Sequence, residues 1–372
     1  MMVVVLTSSR ADYGIYLPLL KKMKGDSFFD VKIVAFGTHL SQKHGFTIDQ
    51  IVKDGFDVYR EIETTPENDS PLDIATSMSE TVKKFAVLWN EQQKTIDLII
   101  CLGDRYEMFA AVSASLPFNI KIAHFHGGET SLGAIDESFR HAITAMAHIH
   151  FTSTEQSLER VAAIKGDSEN VFNVGAMSLD NLKEIKLLTE KEFEKAFGML
   201  PQNPILVTFH PETIAFEKNE YHCNELIKVL TELKGQIFIT LPNADTFGDH
   251  IRIKLLELAK DKENIVCFDS LGTQGYFSAI QFCSFMLGNT SSGIIEAASF
   301  GKYVINIGDR QKGREAGKNV IHCDIKKEKI LEVVDRIKIL DPLKKENIYG
   351  DGSASGKVIT LLKEKFEKRL SI

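Results

Sequence analysis

Short apolar runs rich in β-branched residues alternate along the chain with longer stretches of helical pattern. The runs fall at about 2–8, 31–36, 97–102, 120–125 and 148–152. Helices are predicted between them over 15–24, near 72–94 and over 105–115. Strand and helix in regular alternation specify βαβ units, and so a parallel sheet with helices on both faces. The gaps are long enough for the crossovers that parallel strands require. The rhythm restarts at 171–175, 205–209, 236–241, 264–268, 284–288 and 303–307. A polar helix is predicted over 178–198, and Pro201 and Pro204 punctuate the chain before the run at 205. The fold class is therefore α/β with two domains of similar size. The first spans 1–170 and the second 171–353, with the break inside 165–178. A charged last helix, 354–370 within a tail that ends at 372, crosses back onto the first domain.

Composition narrows the function classes. The 372 residues carry a net charge of −7, which speaks against a nucleic-acid partner. No apolar run approaches the ~20 residues of a membrane span. The opening Met1-Met2-Val3-Val4-Val5-Leu6 lacks a basic leader and reads as a buried first strand. Five scattered cysteines with no C-x-x-C pair argue against disulfides and zinc, and for a reducing cytoplasm.

In open parallel sheets ligands bind beyond the carboxyl ends of strands, so the residues that follow each run carry the candidate chemistry. After the first run, Arg10 opens a helix and suits a phosphate; a surface pair with Asp12 is the plainer reading. Asp104 and Arg105 follow the run at 97–102, where Asp104 is either a base or a helix cap. His124-Phe125-His126-Gly127-Gly128-Glu129 comes next, with both histidines expected on one strand face. Gly133, Asp136 and Arg140-His141 follow. His148 and His150 read as core residues. An H-x-H pair can bind zinc, but no third ligand is picked out by spacing. His210 ends a strand in the second half. The turn Gly288-Asn289-Thr290-Ser291-Ser292-Gly293, ahead of Glu296, offers small residues, N–H groups and hydroxyls to a diphosphate. It is not a P-loop, and no G-x-G-x-x-G supports a nicotinamide cofactor. Three cations, Arg310, Lys312 and Arg314, follow the next strand.

Taken in order, these segments resemble the UDP-N-acetylglucosamine 2-epimerases, above all the hydrolysing branch of sialic and legionaminic acid biosynthesis. The likeness runs from Ser9-Arg10-Ala11-Asp12-Tyr13 through Gly103-Asp104-Arg105, the His124–Glu129 segment and Arg140-His141. It continues through His210-Pro211 and the 288–293 turn to Gly308-Asp309-Arg310-Gln311. It implies a GT-B fold, two Rossmann-like domains with the nucleotide sugar in the cleft. It also implies conversion of UDP-N-acetylglucosamine and water to N-acetylmannosamine and UDP through a glycal, with no cofactor and no metal, in a homodimer or homotetramer. By the same resemblance Arg10, Thr290, Ser291 and Arg310, with Ser292, hold the diphosphate, Glu296 the ribose hydroxyls, and Arg105 the phosphates or the sugar. Asp104, Asp136 and His210 match the catalytic group.

One position departs from the pattern. Many relatives carry a Glu just before the glycine pair, where this chain has His126, with Glu129 after the glycines. Either His126 takes an acid–base role or Glu129 reaches in. Two other functions fit the same nucleotide contacts. One is a hydrolysing epimerase of UDP-2,4-diacetamido-2,4,6-trideoxyglucose. The other is a nucleotide-sugar binding protein without catalysis.

Overall fold

The computed structural model describes residues 1–42, 45–66, 68, 70–132, 134–212, 216–242 and 247–370. Gly133 and the last two residues of the expected 354–372 tail therefore lie outside the described residues. Among the described residues seven strands make the first sheet: β1 (Met2–Thr7), β2 (Asp30–Phe36), β3 (Val58–Ile62), β4 (Leu98–Leu102), β5 (Ile122–Phe125), β6 (Ile149–Thr152) and β7 (Val171–Asn173). Six make the second: β8 (Ile205–Thr208), β9 (Ile237–Thr240), β10 (Ile265–Phe268), β11 (Met286–Gly288), β12 (Val304–Ile307) and β13 (Val320–Cys323). The orders are β3-β2-β1-β4-β5-β6-β7 and β10-β9-β8-β11-β12-β13. Every pairing among the described residues is parallel, as each half of a GT-B protein requires.

The alternation of side chains explains the apolar runs. In β1, Val3 and Val5 join one buried cluster with Leu98 and Ile100 of β4. Val4 and Leu6 join a second cluster with Ile99 and Cys101 on the opposite face. A strand covered on both sides needs apolar residues at every position, which is why these strands read as unbroken runs. The second sheet is packed around Val207, Ile239, Leu287 and Ile305.

The chain forms two compact units. One comprises 1–129, 136–184 and 349–372, the other 130–135 and 185–348. The main break thus falls after Glu184, later than the expected 170/171. The reason is β7, which pairs with β6 as an edge strand of the first sheet and draws residues 171–184 with it. The expected helix over 178–198 is also two helices, Asp180–Glu184 and Glu190–Phe197. A capping box of Thr189 and Glu192 starts the second, and Asp180 is occupied in binding the backbone N–H groups of Ala354 and Ser355. Those bonds seat the last helix, Ala354–Leu370, in the first unit. Among the described residues no helix is long and apolar enough to cross a membrane.

Candidate functional site

Each sheet reverses its strand order once, between β1 and β4 in the first unit and between β8 and β11 in the second. Ligands of open α/β sheets bind at such switch points, beyond the carboxyl ends of the strands. In the first unit the switch is flanked by Arg10 after β1 and Asp104 after β4. In the second it is flanked by His210 after β8 and Thr290 after β11.

Arg10 is the first residue of the helix Arg10–Lys24 and is exposed. The plainer reading, a pair with Asp12, is not what the loop shows. The Asp12 carboxylate accepts from Ser8 N (2.9 Å), Ser8 Oγ (2.8 Å) and Ser9 Oγ (2.7 Å), so it closes the loop on itself.

The cap reading of Asp104 fails as well. Arg105 is the N-cap of the helix Tyr106–Ser113, and its guanidinium is turned to buried Glu107 at 3.0 and 3.3 Å. Asp104 is ion-paired instead with Arg140, one turn into the helix Asp136–Met146. Arg140 is 2% exposed. Its Nη1 donates to the His126 carbonyl at 3.0 Å, and it stands 3.7 Å from Glu129 Oε2. A buried guanidinium is tolerated only when paired and hydrogen-bonded, and two carboxylates and a carbonyl meet that need. One arginine therefore gathers Asp104, His126 and Glu129, while half-buried Asp136 opens the helix that carries it. Sequence reasoning noted Arg140 only as a neighbour of Asp136; its burial and its partners were not readable from spacing.

His124 and His126 do not act as a pair. β5 ends at Phe125, and His126 turns the backbone into the left-handed region with φ +61°. His124 is a core residue bonded to Gly103 O (2.8 Å) and Thr144 Oγ1 (3.2 Å), and burial pushes it down to about 3. His150, opposite it on β6, is pushed down to about 4 in the same way. His126 Nδ1 lies 2.6 Å from Glu129 Oε1. Among the described residues no three His, Cys, Asp or Glu side chains are grouped to hold a metal ion. The glycine pair has a steric cause. A Cβ on Gly128, at φ +75°, would lie 2.2 Å from the Ser157 carbonyl.

In the second unit the hydroxyl-rich turn leaves β11 as expected. A Cβ on Gly288 would lie 1.9 Å from the Thr208 carbonyl, so the turn hugs β8. Thr290, Ser291 and Ser292 are half-buried at the start of the short helix Ser291–Ile295. The Ser292 hydroxyl lies 3.1 Å from Thr290 Oγ1 and 2.6 Å from the Tyr276 hydroxyl. Burial raises Tyr276 to about 12, so it stays neutral. Glu296 is buried at the end of that short helix. His210 is buried too, and its backbone is held by Asn289 (Oδ1 to N 2.7 Å, Nδ2 to O 2.8 Å). Gln311 Nε2 donates to the Asn289 carbonyl at 3.0 Å, tying the loop of half-buried Arg310 to the same turn. Asn289 and Gln311 stood inside the segments of the resemblance without a role and Tyr276 was not singled out from sequence, because each acts through a contact between distant segments. A cavity of about 760 Å³ past β12 and β13, lined in part by Glu212, His222, Asp309 and His322, includes Lys312 of the three expected cations but not Arg10, Asp104, His210, Thr290 or Arg310.

Comparison with known proteins gives the family. The family model described as UDP-N-acetylglucosamine 2-epimerase matches residues 21–363. The chain belongs to that family. It is 33% identical over 97% of its length, and 95% of the relative's, to a protein of Legionella pneumophila named UDP-N,N'-diacetylbacillosamine 2-epimerase (hydrolyzing). It is 35% identical over 86% of its length, and 84% of the relative's, to the GDP/UDP-N,N'-diacetylbacillosamine 2-epimerase (hydrolyzing) of Campylobacter jejuni. In fold it is similar to the crystal structure of UDP-GlcNAc 2-epimerase from Neisseria meningitidis bound to UDP-GlcNAc. There the TM-score is 0.83 over 98% of this chain and 100% of the other, at 18% identity.

Proposed function

We propose that the protein is a hydrolysing UDP-sugar 2-epimerase, which releases UDP and a 2-epimerised free sugar. The observation that carries this reading is the gathering of Asp104, His126 and Glu129 around Arg140, beyond β4 and β5. The reaction removes a weakly acidic C2 proton while UDP leaves from C1, and then adds water to the glycal. It needs a positioned base, cations and N–H or O–H donors for the departing diphosphate, and an acid or base for hydration. Asp104, Asp136, His126 and Glu129 are the candidates for proton transfer in the first unit, and His210 in the second. Arg10, Arg105, Thr290, Ser291, Ser292 and Arg310 would neutralise the diphosphate, and Glu296 would bind the ribose.

Two sugars fit. UDP-N-acetylglucosamine is the substrate expected from the sequence. The 2,4-diacetamido-2,4,6-trideoxy sugar is favoured by the names of the two relatives at 33% and 35% identity. Each UDP-sugar is incubated with the protein in deuterated water. The expected result is UDP release with deuterium at C2 of the 2-epimerised sugar, faster with the diacetamido substrate. Binding of both sugars without UDP release would leave a nucleotide-sugar binding protein. UDP release with the C2 hydrogen retained would point to simple hydrolysis.

A further inference from the structure

We propose that His126 Nε2 is the base that takes the C2 proton, and that Glu129 and Ser153 are positioning residues that fix the ring for it. This deepens the epimerase reading above and rests on it. Three observations support it. First, His126 Nδ1 lies 2.6 Å from Glu129 Oε1, and the same oxygen accepts from Ser153 Oγ at 2.6 Å. All three residues are buried, at 6%, 3% and 1% exposure. A carboxylate can only accept, so the proton of the neutral ring sits on Nδ1 and the lone pair on Nε2. Second, Nε2 is buried and has no hydrogen-bond partner among the described residues. A polar atom held that way is costly in a folded protein unless it has work to do. Third, the backbone is strained where the ring is presented. His126 sits at φ +61°, pinned by its N–H to the Phe151 carbonyl (3.0 Å) and its carbonyl to Arg140 (3.0 Å). Strain that the surroundings over-determine in this way is characteristic of functional positions. His126 and Ser153 also follow β5 and β6 directly, at the carboxyl ends where ligands bind.

The step balances. The Nε2 lone pair takes the C2 proton, and the C2–H electron pair becomes the C1=C2 bond. The C1–O bond breaks, and its pair leaves on the diphosphate oxygen. Epimerisation requires that the new proton reach C2 from the opposite face, so a second group supplies it and recovers a proton from the attacking water. The proton left on His126 is the one the overall hydrolysis releases. Glu129 faces the imidazolium charge while it exists, which is the reason to place a carboxylate at Nδ1.

The test uses the full chain with both UDP-sugars. His126→Gly leaves an imidazole-sized space at a backbone angle that glycine adopts freely. It should lose at least about 100-fold in kcat, with KM and UDP affinity within about 3-fold. Added imidazole should restore part of the rate, which a purely structural loss would not allow. Glu129→Gln and Ser153→Ala should lower kcat about 5- to 50-fold with KM held. These two variants carry the test if His126→Gly does not fold. Wild-type kcat in either His126→Gly or both positioning variants overturns the proposal, as does a loss in His126→Gly that imidazole leaves untouched. Failure of the wild-type protein to release UDP from either sugar overturns the epimerase reading instead.

Discussion

Asn289 grips His210 by both of its backbone groups, accepting the N–H at 2.7 Å and donating to the carbonyl at 2.8 Å. The two residues are 79 positions apart and follow the neighbouring strands β8 and β11, so this one amide closes the switch point of the second sheet. Replacing Asn289 with Leu leaves two buried backbone groups unpaired. The expected cost is about 2–4 kcal/mol in urea unfolding of the second unit. A midpoint equal to that of the unsubstituted protein would show that water replaces the amide freely.

The first unit should lose stability in mild acid. Burial lowers His124 to about 3, and His150 and His39 to about 4. Unfolded histidine titrates near ~6.5. Below that value the unfolded chain binds protons that the folded unit excludes, so stability is fully present above ~6.5 and falls until the folded groups titrate. Each histidine contributes up to about 1.4 kcal/mol per pH unit. His150→Phe should flatten the curve between pH 7.5 and pH 5, by an amount that approaches one proton only near pH 5, measured by urea midpoints. An unchanged slope would remove His150 from the account.

Two glycine substitutions should differ sharply. Gly166 ends a helix at φ +83° with nothing within 4 Å of a Cβ, so alanine there costs about 1–2 kcal/mol of backbone strain. Gly288→Ala adds a collision at 1.9 Å with the Thr208 carbonyl and should cost about 3 kcal/mol or more. Equal melting temperatures for the two variants would contradict the close approach of β8 and β11.

Asp136→Asn tests the other carboxylate of the helix that carries Arg140. UDP affinity should stay within a few-fold while turnover falls at least about 100-fold. Isothermal titration with UDP, together with a UDP-release assay, separates the two effects. Full turnover would take Asp136 out of the mechanism.

The interior strands were readable from the chain because both faces of a parallel sheet are covered, which makes each strand a continuous apolar run. β3 and β13 were missed. Both are edge strands, and their residues are largely half-exposed or exposed, as in Val58–Ile62 with Arg60 and Glu61 pointing out. The domain break was misplaced for a related cause. A three-residue strand such as β7 earns its place by pairing with β6, and pairing leaves no mark on local pattern.

The chemistry divides along the same line. Positions at strand ends are a property of the order of elements, so Arg10, Asp104, His126, His210 and Thr290 could be picked out as strand-end residues from sequence. What each side chain touches depends on segments brought together by the fold. Arg140 reaches back 36 residues to Asp104, and Ser153 reaches back 24 to Glu129. No periodicity records such contacts, because burial and hydrogen bonding are set by the packing of distant strands and helices. The sequence placed His126 beside two glycines. Folding turned that residue to φ +61° and gave its Nδ1 a carboxylate partner, leaving Nε2 as the nitrogen without one among the described residues.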